Sequence, residues 1–289
     1  MRKETYLPRE LGLLAASMLF LLTIDIFYNT KEWQIHFRGA LSMLQTMKKL
    51  GNGDQNLDPS VYFAQLTKLT YLFSTLYVYD DDVCNKYISV VDLDCIQFST
   101  DQEMQSLIYR NLGVTESMIT CLAEVVKYLQ LGETVKTIDA IQMDIDACEP
   151  GKMREYFDSQ NGLIVHNQSM IFHTAMRLLF EREAKKQSPF ELQDIVNTGV
   201  YHLKIDHEIT NEFDGVGLLW PVFVIACEAT SGEAQRVLQI YLESFQLYTG
   251  TSLERAIHII FAVWERRKHD NNVSWISVVR ELDPTILLS

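Results

Sequence analysis

Turn-forming residues are scarce in this sequence of 289 residues, which contains 13 Gly and 6 Pro. A β-sandwich or β-barrel needs a turn signal about every 8–12 residues, so this composition argues against a many-stranded all-β fold. Cysteine is also rare, and none of the five cysteines lies two to four positions from another, as paired zinc ligands do. We therefore expect free thiols in a reducing compartment, without a disulfide framework.

Positive charge is in deficit along the chain. Lys and Arg number 25 whereas Asp and Glu number 38, which gives a formal net charge of −13. A surface that follows nucleic-acid phosphates needs clustered cations, and an acidic field repels them. We therefore expect no direct contact between this chain and DNA or RNA.

The longest apolar run, over residues 11–24, is too short to cross a bilayer, which takes about 20 apolar residues. Asp25 follows it at once, without the small-residue cleavage site of a signal peptide. We interpret this run as a buried helix and expect no membrane span.

Apolar residues recur with helical spacing along nearly the whole chain. Asp58-Pro59 and Ser188-Pro189 each place a capping side chain before a proline, which is typical of a helix start. Short connections between successive helices favour antiparallel packing. The sequence therefore predicts an all-α fold, an irregular multi-helix bundle or solenoid of antiparallel helices, in a single domain over residues 1–289.

Residues 80–114 depart from this pattern because their periodicity is weak. We predict a less regular loop region there, with short helical or extended pieces and a short strand at 87–91, and we expect it to be the most mobile region. Asp80, Asp81 and Asp82 resemble the aspartate-rich motif with which class I terpene synthases bind Mg²⁺. Neither Cys84 nor Asn85, four positions after the first two, is a carboxylate, and the partner motif is absent, which disfavours a Mg²⁺-dependent terpenoid enzyme.

No other pattern indicates catalysis. Serine nucleophile elbows, phosphate-binding loops and dinucleotide fingerprints are missing. His166 and His173 are two helical turns apart, but no third ligand completes a metal set with them. We therefore predict no catalytic residues, no metal site, no cofactor and no enzymatic activity.

Four blocks of aromatic and small residues stand out instead, and together they contain all four tryptophans. A glycine inside a helix costs about 1 kcal/mol against alanine, so it usually has a packing reason. The blocks contain these residues: Trp33, His36, Arg38, Gly39 and Ala40; Phe172, His173 and Ala175; Leu219, Trp220, Pro221, Ala226, Cys227, Glu228 and Ala229; Val263, Trp264, Arg267 and Trp275.

In this order the blocks resemble the fungal-specific transcription factor domain, the regulatory region that follows the zinc binuclear cluster in many fungal activators. Gly113-Val114-Thr115 with the next turn is similar to the middle of that domain, and the resemblance covers about residues 11–275. It implies transcriptional regulation in the nucleus, with shuttling to the cytoplasm as an alternative. We expect the signature residues to be structural: Trp33, His36, Arg38, Gly39, Ala40, His173, Pro221, Glu228, Trp264 and Trp275. If a small-molecule effector exists, the resemblance implies an amino acid, a sterol or a related metabolite.

The chain departs from that family in one respect. The family's DNA-binding Cys-x2-Cys-x6-Cys element with basic flanks does not occur in this sequence. We therefore expect either an effector domain separated from its DNA-binding element or a relative that has lost it. The acidic net charge is consistent with DNA contact made elsewhere.

Two hypotheses follow for the mechanism. In the first, a small metabolite binds in a mostly apolar cavity and stabilises one of two helix packings. We predict that the cavity wall contains aromatic and apolar side chains from three helices: Phe172, Tyr201, Leu219, Trp220 and Phe223. In the second, the chain is a ligand-independent interaction module that docks a transcriptional co-regulator or a second copy of itself. The apolar tail at 286–288 favours a homodimer if it needs covering, and an exposed tail is the alternative.

Overall fold

The computed structural model describes residues 59–77, 106–131, 136–151, 160–209, 219–245 and 250–286, with Leu288 and scattered positions between 14 and 42. Helix accounts for 84% of these residues and none is in a strand, which confirms the predicted all-α class. Most of the predicted loop, including the strand at 87–91, lies outside the described residues. The single domain over 1–289 and the antiparallel order of the helices stay predictions.

Several of the described helices follow one another with short connections. Helix α5 runs directly into a π-helical segment, Phe180–Ala184, and a 3₁₀ turn, Pro189–Leu192, leads into α6. The α-helices with described bounds are α1 Pro59–Tyr77, α2 Leu107–Leu112, α3 Glu116–Leu131, α4 Ile138–Ala147, α5 Gln160–Leu179, α6 Gln193–Ile209, α7 Leu219–Glu228, α8 Gly232–Phe245, α9 Gly250–Arg267 and α10 Trp275–Leu282.

Capping side chains explain where several of these helices begin. Ser188 forms a capping box with Glu191, whose carboxylate accepts the Ser188 backbone N–H at 2.8 Å. The Thr115 hydroxyl accepts the backbone N–H of Met118 at 3.2 Å, and Thr137 caps α4 in the same way. Each cap supplies an acceptor for an N–H that has no partner within the helix.

Helix α5 lies at the centre of the described fold and contacts α2, α4, α6 and α7. Glycine lets α6 approach α5 and α7 closely, because a Cβ at Gly199 would lie 2.8 Å from Ile225 and 3.1 Å from Thr174. Removing apolar surface from water at these contacts supplies the main stabilisation of the bundle. The apolar side chains that α5 buries are Ile171, Phe172, Ala175, Met176, Leu178 and Leu179.

The C-terminal tail is covered by the chain itself. Ile286 and Leu288 are fully buried, and the buried Tyr77 side chain of α1 lies beside the backbone of Leu288. The expectation that this apolar tail needs a second copy to cover it is therefore wrong for these two side chains. Within the described ranges, every helix is too short or too polar to span a lipid bilayer.

Candidate functional site

Trp220, in the first turn of α7, lies in a buried group of aromatic rings. Its indole stacks on Phe73 of α1, with centroids 4.7 Å apart and an interplanar angle of 12°. It also contacts Phe172 of α5 at 5.7 Å, and all three side chains are fully buried. We call Phe73, Phe172 and Trp220 the Trp220 cluster. Each such ring pair adds about 0.5–1.5 kcal/mol beyond the area it buries, so the cluster fixes three helices against one another.

The structure brings some of the predicted wall residues together and adds one that the sequence did not single out. Phe172 and Trp220 are in contact, and Phe73 completes their cluster. Phe223, one turn further along α7, is also fully buried but packs edge-on against Trp275 of α10 at 5.5 Å. Leu219 is half-buried at the start of α7.

Tyr201 does not lie with the other predicted wall residues. It is 60% exposed on α6, and its ring contacts His202 at 5.2 Å. The inward face of α6 carries Val200 and Leu203 instead, both buried. Tyr201 therefore lies apart from the Trp220 cluster, because successive side chains on a helix point about 100° apart, and its place on a cavity wall stays a prediction.

The indole N–H of Trp220 is buried and has no hydrogen-bond acceptor among the described residues. A buried donor without an acceptor costs about 1–3 kcal/mol, and the buried indole N–H groups of Trp33 and Trp275 share this property with that of Trp220. Pro221 is buried in the same first turn, where the missing N–H of proline removes no intrahelical hydrogen bond.

The C-terminal end of α7 is held by side chains from α9. The indole N–H of Trp264 donates to the carbonyl of Ala226 at 2.8 Å, and Arg267 Nη1 donates to the carbonyl of Cys227. These carbonyls belong to the last turn of α7, where helical backbone N–H partners run out, and the Ala226 carbonyl also accepts the backbone N–H of Ala229 at 3.2 Å. The third and fourth sequence blocks are therefore joined by direct hydrogen bonds.

Glu228, the last residue of α7, is fully buried between two arginines. Its Oε2 lies 3.0 Å from Arg267 Nη2 and 3.9 Å from Arg182 Nε. Arg182 also donates to the carbonyl of Gln187 at 2.9 Å and to that of Asn272 at 2.6 Å. Burial raises the pKa of the Glu228 carboxyl, although both guanidinium groups oppose this effect. We call Arg182, Glu228 and Arg267 the buried ion cluster.

The first and second blocks contain comparable structural contacts. His36 pairs with the buried carboxylate of Asp25, and a Cβ at Gly39 would collide with Met18. His173 is buried and its Nε2 donates to the carbonyl of Ile145 at 2.8 Å, in the last turn of α4. The other residues of the first block are partly internal: Trp33 and Ala40 are buried, whereas Arg38 is exposed.

No group of three or more His, Cys, Asp or Glu side chains is placed to hold a metal ion in the part of the chain that the structure describes. Asp80, Asp81 and Asp82 lie outside the described residues. Two histidines do meet, since the rings of His166 on α5 and His202 on α6 are 6.1 Å apart.

The histidine pair predicts a pH dependence of stability. Burial, and then the charge of His166, lower the pKa of His202 to about 4 from an ordinary value of 6.5. Between these values the unfolded chain binds a proton that the folded chain does not, so the unfolding free energy falls as pH falls from 6.5 towards 4. As pH falls from 7 to 4.5, we expect the unfolding free energy of the parent chain to fall by about 1–2 kcal/mol more than that of His202→Gln. Urea denaturation at each pH measures this difference.

The matched control for this prediction is His258→Gln, which changes an exposed histidine on α9. The control should follow the parent chain at every pH. A His202→Gln variant that also follows the parent curve would contradict the role given to His202.

The described fold defines a class: an all-α domain whose helices are joined by buried aromatic and ionic contacts. The sequence profile of one family, the fungal specific transcription factor domain, matches residues 7–289. The chain therefore belongs to that family, and its role is the regulation of transcription. No curated protein and no solved structure matches the chain.

Proposed function

We propose that this chain is the effector domain of a fungal transcription factor, that it acts in the nucleus, and that a small metabolite controls it by binding against the Trp220 cluster. Contact with DNA belongs, in this proposal, to a separate element. The observation that carries the proposal is the buried indole N–H of Trp220, which has no acceptor among the described residues.

The chemistry of the cluster favours an apolar metabolite with one oxygen acceptor. Aromatic rings surround the indole, and they offer dispersion and stacking contacts to a hydrocarbon skeleton. A carbonyl or hydroxyl oxygen would satisfy the N–H and remove its desolvation cost. This pattern favours a sterol or a related molecule over a free amino acid, whose two charges would need ionic partners when buried.

The two ends of α7 are held differently, which suggests how binding acts on the fold. The C-terminal end is held by the directional bonds of Trp264 and Arg267. The first turn is held by the aromatic packing of Trp220, without a hydrogen bond from its indole N–H to any described residue. A ligand that binds one packing of the first turn better would shift the population of helix arrangements towards it.

Native mass spectrometry of the purified protein, paired with a denatured run, tests this proposal. We expect a mass excess that disappears on denaturation and that identifies the class of the bound molecule. Trp220→Phe keeps an aromatic ring but removes the N–H, so it should reduce the bound fraction severalfold. Tyr201→Phe changes an exposed side chain and serves as the matched control.

The outcomes of this experiment separate the two hypotheses. A mass excess that Trp220→Phe leaves unchanged would contradict the assignment of the site. A bare mass in every sample, even after incubation with a fungal lipid extract, would contradict the effector proposal. It would favour the ligand-independent interaction module, which the same spectrum would show as a dimer if the partner is a second copy.

A further inference from the structure

The histidine pair, His166 on α5 and His202 on α6, lies where these two helices pack together. The rings are edge to face, with centroids 6.1 Å apart and an interplanar angle of 77°. Both side chains are half-buried, so each ring is accessible to solvent. The spacing in the sequence singles out His166 and His173, but His173 is buried against the carbonyl of Ile145. The fold therefore gives His166 a different histidine as its neighbour.

A buried amide fixes the orientation of His202. Asn167 is fully buried on α5, and its Nδ2 donates to the carbonyl of Leu163 at 2.9 Å. The amide therefore presents its oxygen, Oδ1, to Nδ1 of His202 at 2.8 Å, and this ring nitrogen is the donor because an amide oxygen only accepts. The neutral ring then carries its proton on Nδ1 and keeps a lone pair on Nε2.

This arrangement is typical of a histidine that ligates a metal ion. Such a histidine binds the ion through one ring nitrogen and donates the other N–H to an oxygen acceptor, which fixes the tautomer and the ring orientation. Asn167 Oδ1 is that acceptor for His202. Gly199, one turn earlier in α6, keeps the two helices close, because a Cβ there would lie 3.1 Å from Thr174 of α5. Packing therefore holds the helices that carry the pair before any ion binds.

The ring separation suits two ligands of one ion. Two imidazoles that share a tetrahedral zinc ion through bonds of about 2.0–2.1 Å have ring centroids about 5 Å apart. Closing the observed 6.1 Å to this value takes about 1 Å, which rotation of two half-buried side chains supplies. Imidazole nitrogen suits Zn²⁺, Ni²⁺ and Cu²⁺, whereas Mg²⁺ and Ca²⁺ prefer oxygen ligands. The chemistry of the pair therefore selects a transition metal.

We propose that His166 and His202 form a binding site for a divalent transition-metal ion such as Zn²⁺. The ion binds Nε2 of His202 and one ring nitrogen of His166, and it ties α5 to α6. Among the described residues, no third His, Cys, Asp or Glu joins the pair. In the isolated chain, water therefore fills the remaining coordination positions, beside the exposed ring of Tyr201 that contacts His202 at 5.2 Å.

This site is independent of the proposed effector function. It joins α5 to α6, whereas the proposed effector contacts Trp220 on α7. Metal binding should therefore be unchanged in Trp220→Phe, and the fraction of protein that carries a bound effector should be unchanged in His202→Gln. The two proposals can fail separately.

Isothermal titration calorimetry of tag-free protein, freed of metal with EDTA and dialysed, tests the proposal with zinc chloride as the probe. We expect one Zn²⁺ per chain, and we expect His166→Gln and His202→Gln each to lower the affinity at least tenfold. The double variant should bind no more weakly than either single variant, because loss of one ligand already dismantles the site. His258→Gln removes an exposed histidine on α9 and should bind Zn²⁺ like the parent chain.

Chemical modification of the parent protein gives a second readout that needs no variant. Diethyl pyrocarbonate acylates accessible histidines, and trypsin, which cleaves after Lys and Arg, places His202 in peptide 187–204 and His258 in peptide 256–266. His166 shares peptide 155–177 with His173, and fragmentation in the mass spectrometer separates the two. Zn²⁺ should protect His166 and His202 from acylation severalfold and should leave His258 unprotected.

Three results would overturn the proposal. The first is the absence of Zn²⁺ binding to folded parent protein at concentrations that saturate a helical peptide with two histidines one turn apart. The second is a Zn²⁺ affinity that a folded His202→Gln variant leaves unchanged, with equal acylation of His202 in the presence and absence of the ion. The third is binding of Mg²⁺ as tight as that of Zn²⁺, which would contradict nitrogen ligation. Circular dichroism in EDTA checks that each variant is folded.

Discussion

Replacing Arg267 with leucine is expected to lower the free energy of unfolding by about 3–5 kcal/mol at pH 7, because it leaves a buried charge without its nearest partner. Arg267 lies 3.0 Å from the fully buried carboxylate of Glu228. Arg267 also donates to the carbonyls of Cys227 and Val273. The substitution therefore leaves one carbonyl at the end of α7 and one after α9 without this donor. Guanidinium chloride denaturation of the two proteins measures the difference.

The same variant should respond to pH in a defined direction. Burial already raises the pKa of Glu228 above its ordinary value of 4.5, and removal of the Arg267 cation should raise it further. When the folded-state pKa of an acid lies above its unfolded-state pKa, the folded chain binds the proton more strongly. The resulting stability is present below the unfolded-state pKa and is lost as pH rises towards the folded-state pKa. The deficit of Arg267→Leu should therefore be smaller near pH 4.5 than at pH 7.

The neighbouring arginine provides a matched control. Arg266 points to the surface and pairs with the exposed carboxylate of Glu281 at 2.6 Å. Exposed pairs of this kind contribute little to stability, so Arg266→Leu should leave the denaturation midpoint almost unchanged. Equal effects of the two substitutions would contradict the role assigned to the buried ion cluster. A double variant, Arg267→Leu with Glu228→Gln, should recover part of the loss because it removes the unpaired charge.

The buried ion cluster explains why two of the sequence blocks contain the residues they do. The block around Glu228 supplies the carbonyls of Ala226 and Cys227 and one carboxylate. The block around Trp264 supplies the indole N–H of Trp264 and the guanidinium of Arg267, and these groups bind the two carbonyls and the carboxylate. Each block therefore satisfies groups of the other that would otherwise be buried without partners.

The helices could be predicted from the sequence because their signals are local. The capping residue Thr115 marks the start of α3, and Ser188 with Glu191 marks the approach to α6. Helix α4 has a weaker local signal, although Ile138, Ile141 and Ile145 have helical spacing after the capping Thr137. Asp and Gln residues are interspersed among the apolar ones along this short helix and weaken the apolar pattern.

The site was less predictable because its contacts join residues that are distant in the sequence. Phe73 stacks on Trp220, yet each looks like an ordinary core residue within its own helix. Local apolarity favours an inward position for Tyr201, whereas a helix that buries Val200 turns its neighbour to solvent. Arg182 and Arg267 are buried against the usual preference of arginine for the surface, and the carboxylate of Glu228 together with the carbonyls that each guanidinium binds accounts for that.

Replacing Trp220 with alanine is expected to cost about 3–5 kcal/mol of unfolding free energy, because it empties the centre of a close-packed cluster. The indole is fully buried and contacts Phe73 and Phe172 from two other helices. Those rings belong to long helices that can move little to fill the space, so most of the cavity should remain. Thermal and chemical denaturation of ligand-free protein measure the loss without any contribution from a bound effector.

Tyr201→Ala is the matched control, since it removes an aromatic ring that is 60% exposed and lies outside the cluster. Its denaturation midpoint should stay close to that of the parent chain, because surface substitutions away from packed contacts usually change stability by less than about 0.5 kcal/mol. Trp220→Phe should fall between the two because it refills part of the volume. A Trp220→Ala variant as stable as Tyr201→Ala would show that the cluster does not hold α1, α5 and α7 together, and it would also remove the physical basis for placing an effector there.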